Sequence, residues 1–291
     1  MSRRSAWRRP EPIDPAIQGG ATTLSASDAA FLAGLAPATP SAYHRLNPLT
    51  KAVAATVESL GAFVIGGYLG PIAIIGLAIL PAAVVAGVAG RLIRISLLLT
   101  LPIAISVILV SVFTRAGSTI LFTIGPFDAT LEGVDFAGQT LVRLLAISTS
   151  IGLFGLTTEP RSFVLDLERR GLSPRFAFVA LATLEAVPAM VERAGIIASA
   201  QRARGLDTEG SVRARLRGVL PLVGPVILSS LTEVEERSLA LEVRAFGRPG
   251  RRELLWRVPD SGAQLAARAL MLFALVAAIG MRISGTFPHL P

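Results

Sequence analysis

The sequence predicts an all-α fold: a polytopic membrane helix bundle of about five spans, carrying a cytoplasmic domain of long helices. Three observations predict it. Of 291 residues, 52% are hydrophobic and only 16% are charged, against about 25% charged in an ordinary soluble domain. Mean hydropathy is +0.62, and uncharged runs reach the roughly 20 residues that a helix needs to cross a bilayer. The formal net charge is nevertheless +8, so the basic residues must be gathered outside the spans. Oily and basic together argue against a soluble enzyme, a disordered chain and an ordinary nucleic-acid binder.

Residues 1–42 read as a disordered tail: basic at SRRSAWRRP, then rich in Pro, Ala, Ser, Thr and Gly, with no apolar run to pack. No apolar h-region follows its arginines, so it is not a signal peptide. A transmembrane bundle of about four spans follows over 43–157. Between Ala52 and Val88 the only charge is Glu58, and Gly66-Gly67 and Gly70-Pro71 break the run, giving spans at about 52–67 and 70–88. Residues 95–113 are uncharged throughout, with Pro102 predicting a kink. Residues 114–136 carry Asp128, Glu132 and Asp135 around a short apolar piece and read as interfacial or re-entrant. Residues 137–157 form the fourth span, in which Arg143 must pair or snorkel. The last span, 263–281, lies in the closing segment 263–291 and has Arg268 near its start. Basic residues flank alternate ends of these spans. The positive-inside rule therefore puts the N-terminal tail and residues 158–262 in the cytoplasm, and five spans put the C-terminus outside.

The 158–262 region holds 16 of the 28 basic residues and 13 of the 20 acidic ones, a net of +3. With that near balance, one Trp and no Tyr, it lacks the stacking platforms of a single-strand nucleic-acid binder. Thr158 is placed to cap a helix at Glu159-Pro160 that Gly171 stops. Ser173-Pro174 opens a helix of about 30 residues ending at Gly205, divided by Pro188 into an apolar and an amphipathic half. On its amphipathic half Met190, Ala194, Ile197 and Ala198 share one face. A third helix begins after Ser211 and contains the apolar patch VLPLVGPVILSSL, too short to span, before an amphipathic stretch closes at Gly247. Thus two amphipathic helices each end in arginine and then glycine: Ala203-Arg204-Gly205, and Val243-Arg244-Ala245-Phe246-Gly247.

Arginine near a helix C-terminus is favoured by the helix dipole, and glycine supplies a left-handed cap, so one such ending is ordinary. Two of them, projecting from a membrane bundle, suit a docking role. A guanidinium makes bidentate bonds to carboxylates and cannot be neutralised, so the fitting partner is a cytoplasmic dimer with an acidic groove on each half.

The chain resembles the transmembrane T component of energy-coupling factor (ECF) transporters, the vitamin and metal-ion uptake branch of the ABC superfamily. HRLNPLTK at 44–51 resembles that family's Asp-Pro-x-Thr-Lys start, with Asn47 in place of Asp. ATLEAVPAMVERAGIIASAQRARGLD at 182–207 resembles its first coupling helix, with Ala200, Gln201, Ala203, Arg204 and Gly205 in place. SLALEVRAFG at 238–247 resembles the second, with Glu242, Arg244, Ala245 and Gly247 where the family more often reads Ala-Arg-Gly. The resemblance implies that Arg204 and Arg244 insert into two ATP-binding-cassette subunits. Motion driven by ATP would pass through these helices to a separate small membrane protein that holds a vitamin or metal ion. Leu220, Pro221, Leu222, Pro225 and Leu228 form the apolar surface on which that protein would rest. ATP and Mg would be bound by the partner ATPases, with no cofactor on this chain.

The chain itself lacks a G-x-x-x-x-G-K-[ST] loop, has no cysteine, and has histidines only at 44 and 289. It therefore reads as a non-catalytic subunit without a metal site. The alternatives are a conventional ABC permease with its own substrate path, or an integral membrane enzyme built on Asp128, Glu132 and Asp135.

Overall fold

Asn47 starts the first helix. Its side chain accepts a hydrogen bond from the Leu49 amide at 2.9 Å, and Pro48 fills the first position, where an N–H has no partner to lose. This cap sets the start of α1 (Pro48–Ile65) four residues before the apolar run alone would place it. The computed structural model describes residues 41–115, 117–124, 127–205, 212–246 and 259–285; nearly all of the tail read over 1–42 lies outside them.

Gly66 and Gly67, both left-handed at φ 68° and 59°, end α1. Gly70-Pro71, read from sequence as part of that break, lies inside α2 (Leu69–Ala86), whose middle, Ile74–Ile79, widens to π-helical winding. α3 (Ala89–Thr114) runs unbroken through Pro102 and includes Arg91 and Arg94, which hydropathy alone excludes from the span. α4 (Leu131–Thr157) follows, then α5 (Pro160–Arg169), α6 (Pro174–Ala203), α7 (Val212–Val243) and α8 (Gly262–Ile283).

Six of these helices are long and apolar enough to cross a membrane. Five correspond to the spans read from sequence, and the sixth is α6. Large apolar side chains on them stand exposed, for example Leu77 at 81% and Phe273 at 72%. In water such a surface would be a liability, whereas in a bilayer it faces lipid. The chain is a multi-pass membrane protein.

Residues 114–136, read from sequence as interfacial or re-entrant, contain an antiparallel hairpin, β1 (Ile120–Ile124) paired with β2 (Phe127–Thr130). Its β-branched and aromatic residues flank a Gly-Pro pair, which favours strand–turn–strand over a half-helix. Thr158 does not cap α5. It closes α4, and Glu159 occupies the N-cap position ahead of Pro160.

In the bundle α4 packs along α3 and α1, α1 packs along α8, and α2 lies against α4. Small residues permit the close approaches. A Cβ on Gly152 would stand 2.9 Å from Leu92 Cδ1, and one on Gly133 would stand 2.5 Å from the Ser111 carbonyl. The apolar core is compact: Ile79, Ala83, Leu92 and Leu153. Polar pairs join helices elsewhere, Thr100 with Ser148 at 3.0 Å and Ser150 with Glu58 at 2.7 Å. Arg143 is half-buried and reaches Gln139 Oε1 at 3.4 Å.

The described residues form two compact units: 41–181 with 259–285, and 182–205 with 212–246. The chain passes from the first to the second within α6 and returns ahead of α8.

Candidate coupling site

The two arginine endings belong to the 182–246 unit and have the same backbone design. In α6 the Arg204 amide donates to the Gln201 carbonyl at 3.1 Å. The Gly205 amide donates to the Arg202 carbonyl at 2.9 Å, with Gly205 left-handed at φ 89°. In α7 the Ala245 amide donates to the Glu242 carbonyl and the Phe246 amide to the Leu241 carbonyl, both at 2.9 Å. This is a full Schellman closure, with Ala245 left-handed at φ 54°. Each arginine therefore sits at the C-cap, one residue past the end of its helix and directly before the left-handed residue. Sequence alone assigns the second closure to Gly247. The structure puts the left-handed turn two residues earlier, at Ala245; Gly247 lies outside the described residues. Ala245 is the only non-glycine with positive φ among the described residues, a conformation that costs an L-residue about 1–2 kcal/mol.

Arg204 and Arg244 are exposed, as are Ala200, Ala203, Gly205, Glu242 and Ala245, while Gln201 is half-buried. Among the described residues neither guanidinium has an ion-pair partner.

A third ending of the same kind supplies the contrast. α5 closes with Arg170 at its C-cap and Gly171 left-handed at φ 115°, the Gly171 and Leu172 amides donating to the Glu168 and Leu167 carbonyls. Here the arginine is consumed internally: Nε donates to Asp166 at 3.0 Å and Nη2 to Asp260 at 2.6 Å.

One ion pair fixes how α6 and α7 meet. Arg193 Nη2 lies 2.6 Å from Glu233 Oε2, and Arg237 adds a contact to Glu233 from one turn further along. The hydrogen bond from Arg193 holds the Glu233 carboxyl below its usual range, against a smaller opposing effect of desolvation. Arg193 precedes Arg204 by eleven residues, and Glu233 precedes Arg244 by the same eleven. Each tip therefore extends about 16 Å along its own helix beyond the contact. Beyond Glu233, every residue of α7 from Val234 to Ala240 is exposed. Each helix thus carries an exposed arginine at its end, eleven residues beyond the Arg193–Glu233 contact.

The apolar patch lies within one continuous α7. Its side chains divide by face. Leu222 and Pro225 are half-buried, Leu228 is 66% exposed, and Val223, Ile227, Leu231 and Val234 continue the exposed stripe. The side chains of Leu220 and Pro221 lie outside those described. Of the face expected on α6, Ala194, Ile197 and Ala198 are half-buried and Met190 is exposed; Ala186, Ala189 and Arg193 are half-buried as well.

Of the carboxylates of the enzyme alternative, Glu132 and Asp135 have partners within the bundle. Glu132 accepts from the Ser118 hydroxyl at 2.8 Å and from the Ser118 and Thr119 amides. Asp135 accepts from Tyr68 at 3.0 Å and from Gln139 at 2.9 Å. Asp128 lies in β2 opposite Thr123.

Sequence reasoning missed a polar cluster in the other unit that gathers Asn47, Asp166, Arg170, Asp260, Gln264 and Arg268. Asn47 and Lys51 carry its only sequence signal, the capped start of α1. Lys51 is buried and donates to the Thr157 carbonyl at 2.8 Å and the His44 carbonyl at 3.2 Å.

A family model described as "Cobalt transport protein" matches residues 40–254. The chain is 30% identical over 246 residues to an energy-coupling factor transporter transmembrane protein of Heliobacterium modesticaldum, covering 79% of this chain and 90% of that one. It is 26% identical over 236 residues to the protein of that name in Thermosediminibacter oceani, covering 78% and 88%. To that of Acidaminococcus fermentans it is 28% identical over 250 residues, covering 81% and 92%.

Proposed function

The chain belongs to the cobalt transport protein family, and from that premise we propose that it is the transmembrane coupling subunit of an ECF-type ABC importer. In this reading Arg204 and Arg244 dock in acidic grooves of two ATPase subunits in the cytoplasm. ATP-driven changes in the separation of those subunits move α6 and α7. The exposed apolar stripe of α7, around Leu228, carries the motion to a separate membrane protein that binds a vitamin or metal ion. The chain itself hydrolyses nothing.

The observation that carries this reading is the matched pair of helix ends. Both arginines occupy the same cap position at the same distance beyond the Arg193–Glu233 contact, and both are exposed. An arginine that served only to complete a helix end would gain by finding a carboxylate, as Arg170 does. A free guanidinium at each tip is suited to a partner that brings its own.

The test is the Arg204→Ala, Arg244→Ala double variant, co-expressed with the two ATPase subunits. It should lose co-purification with the ATPase pair by at least tenfold, while its gel-filtration profile and thermal stability in detergent stay unchanged. A double variant that keeps ATPase binding overturns the docking role.

A further inference from the structure

Five side chains of the membrane bundle form a closed ring of hydrogen bonds. Asn47 Nδ2 donates to Asp166 Oδ1 at 3.1 Å, and Asp166 Oδ2 accepts from Arg170 Nε at 3.0 Å. Arg170 Nη2 donates to Asp260 Oδ2 at 2.6 Å, and Asp260 Oδ1 accepts from Arg268 Nη2 at 3.0 Å. Arg268 Nη1 returns to Asn47 Oδ1 at 3.4 Å and also reaches Thr50 Oγ1 at 3.3 Å. Gln264 braces the ring by accepting from the Asn47 amide at 2.8 Å. Asn47 and Asp166 are fully buried, and Arg268 is 6% exposed. Two cations, two anions and one neutral amide leave the ring with no net charge.

The ring joins three segments far apart in sequence: the cap of α1, the end of α5 and the opening of α8. α5 leads into α6, the helix in which the chain leaves for the arginine-tipped unit. Asp260 stands where the chain has come back, immediately before α8. The outgoing and returning segments are thus tied to each other and to the first membrane helix at one node, exposed at Arg170 and buried at Asn47, Asp166 and Arg268.

We propose that this ring is the positioning node through which displacement of the arginine-tipped helices reaches α1 and α8 together. The inference rests on the coupling reading above. An ionic network with every member paired, its Asn47, Asp166 and Arg268 buried, has one favourable arrangement and resists partial opening. A connecting segment without such a tie would absorb the displacement by bending. α1 and α8 pack along each other, so the node moves a helix pair. Asn47 sets the balance. Its Nδ2 faces two acceptors, Asp166 Oδ1 and the Pro259 carbonyl at 3.3 Å. A carboxylate there would set oxygen against oxygen beside a buried aspartate.

The chain has no cysteine, so a nitroxide pair can be placed by Leu109→Cys on α3 and Phe273→Cys on α8, both exposed positions. In the full complex with the ATPase subunits in liposomes, the distance between the labels should change on adding ATP. Adding Asn47→Asp should remove at least half of that change while the ATPase subunits stay bound and ATP hydrolysis persists. Adding Asp166→Asn to it, which restores one amide and one carboxylate, should recover the change. If Asn47→Asp fails to assemble, Arg170→Lys, which keeps the charge but reaches only one of the two aspartates, is read in the same way. The proposal is overturned if the parent pair shows no ATP-dependent change, if the change survives in an assembled ring variant, or if the double variant does not recover it. It is also overturned if no ring variant assembles, because the ring would then serve folding alone. Retained ATPase binding by the Arg204, Arg244 double variant would instead defeat the docking reading, so the two failures are distinct.

Discussion

The arginine at the end of a helix has two different fates in this chain, and the difference lies in its neighbours. Arg170, Arg204 and Arg244 each stand directly before a left-handed residue, but among the described residues only Arg170 of the three has carboxylate partners. Asn47 shows the same dependence on surroundings. It stands where the resembling motif carries Asp, and Asp166 opposite it already supplies the negative charge. Removing Asp166 would leave Arg170 with Asp260 alone and Asn47 Nδ2 with the Pro259 carbonyl alone, and Asp166→Ala should cost about 1–3 kcal/mol, measured as a fall in thermal stability in detergent. Asp260 gives a pH signature. Desolvation opposes its ionisation, but hydrogen bonds from Arg268 and Arg170 outweigh it and hold the carboxyl below its usual range. A carboxyl depressed on folding contributes fully above its unfolded pKa, and the contribution drains as pH falls through the folded value. Thermal stability should therefore decline on the acid side of about pH 4. Asp260→Asn should be less stable at neutral pH and flatten that decline.

At the scale of elements, the helix closures separate backbone geometry from residue identity. α6 turns left-handed on Gly205 and α7 on Ala245. Exchanging the residue types should have opposite effects: Ala245→Gly should stabilise and Gly205→Ala destabilise, each by about 1 kcal/mol, with both variants still binding the ATPase pair. If Ala245→Gly lowers the melting temperature, the α7 closure owes its form to contacts rather than to backbone strain. α3 shows that an apolar run can be legible while its boundaries are not. Its core, 95–113, is readable from hydropathy, but the stretch 89–94 joins it because Arg91 and Arg94 stand exposed on the helix surface. The hairpin at 120–130 is not legible in the same way, because a short apolar run carries no period long enough to separate strand from half-helix.

At the scale of the whole molecule, the open issue is how many of the six apolar helices cross. α6 satisfies length and hydropathy, yet the division between the two compact units falls inside it, after residue 181. On the coupling reading its second half leaves the bilayer, five helices cross, and the C-terminus lies opposite the N-terminus. Ser284→Cys, just past α8, should then react with a membrane-impermeant maleimide added to intact cells. Labelling only after lysis would mean that α6 crosses as well.

The sequence by itself determined the membrane class, the main apolar helices and the two arginine tips, because these depend on hydropathy, chain length and local cap chemistry. The tertiary structure alone decided which charges are spent and which remain. Asp166, Arg170, Asp260 and Arg268 look like scattered surface charges in the sequence, since nothing local marks partners about 90 to 220 residues apart. Packing α1, α5 and α8 at one node brings them to hydrogen-bonding distance and cancels their charge. Among the described residues no carboxylate pairs with Arg204 or Arg244. A guanidinium's role is set by what lies within about 4 Å of it, and only the folded chain fixes that.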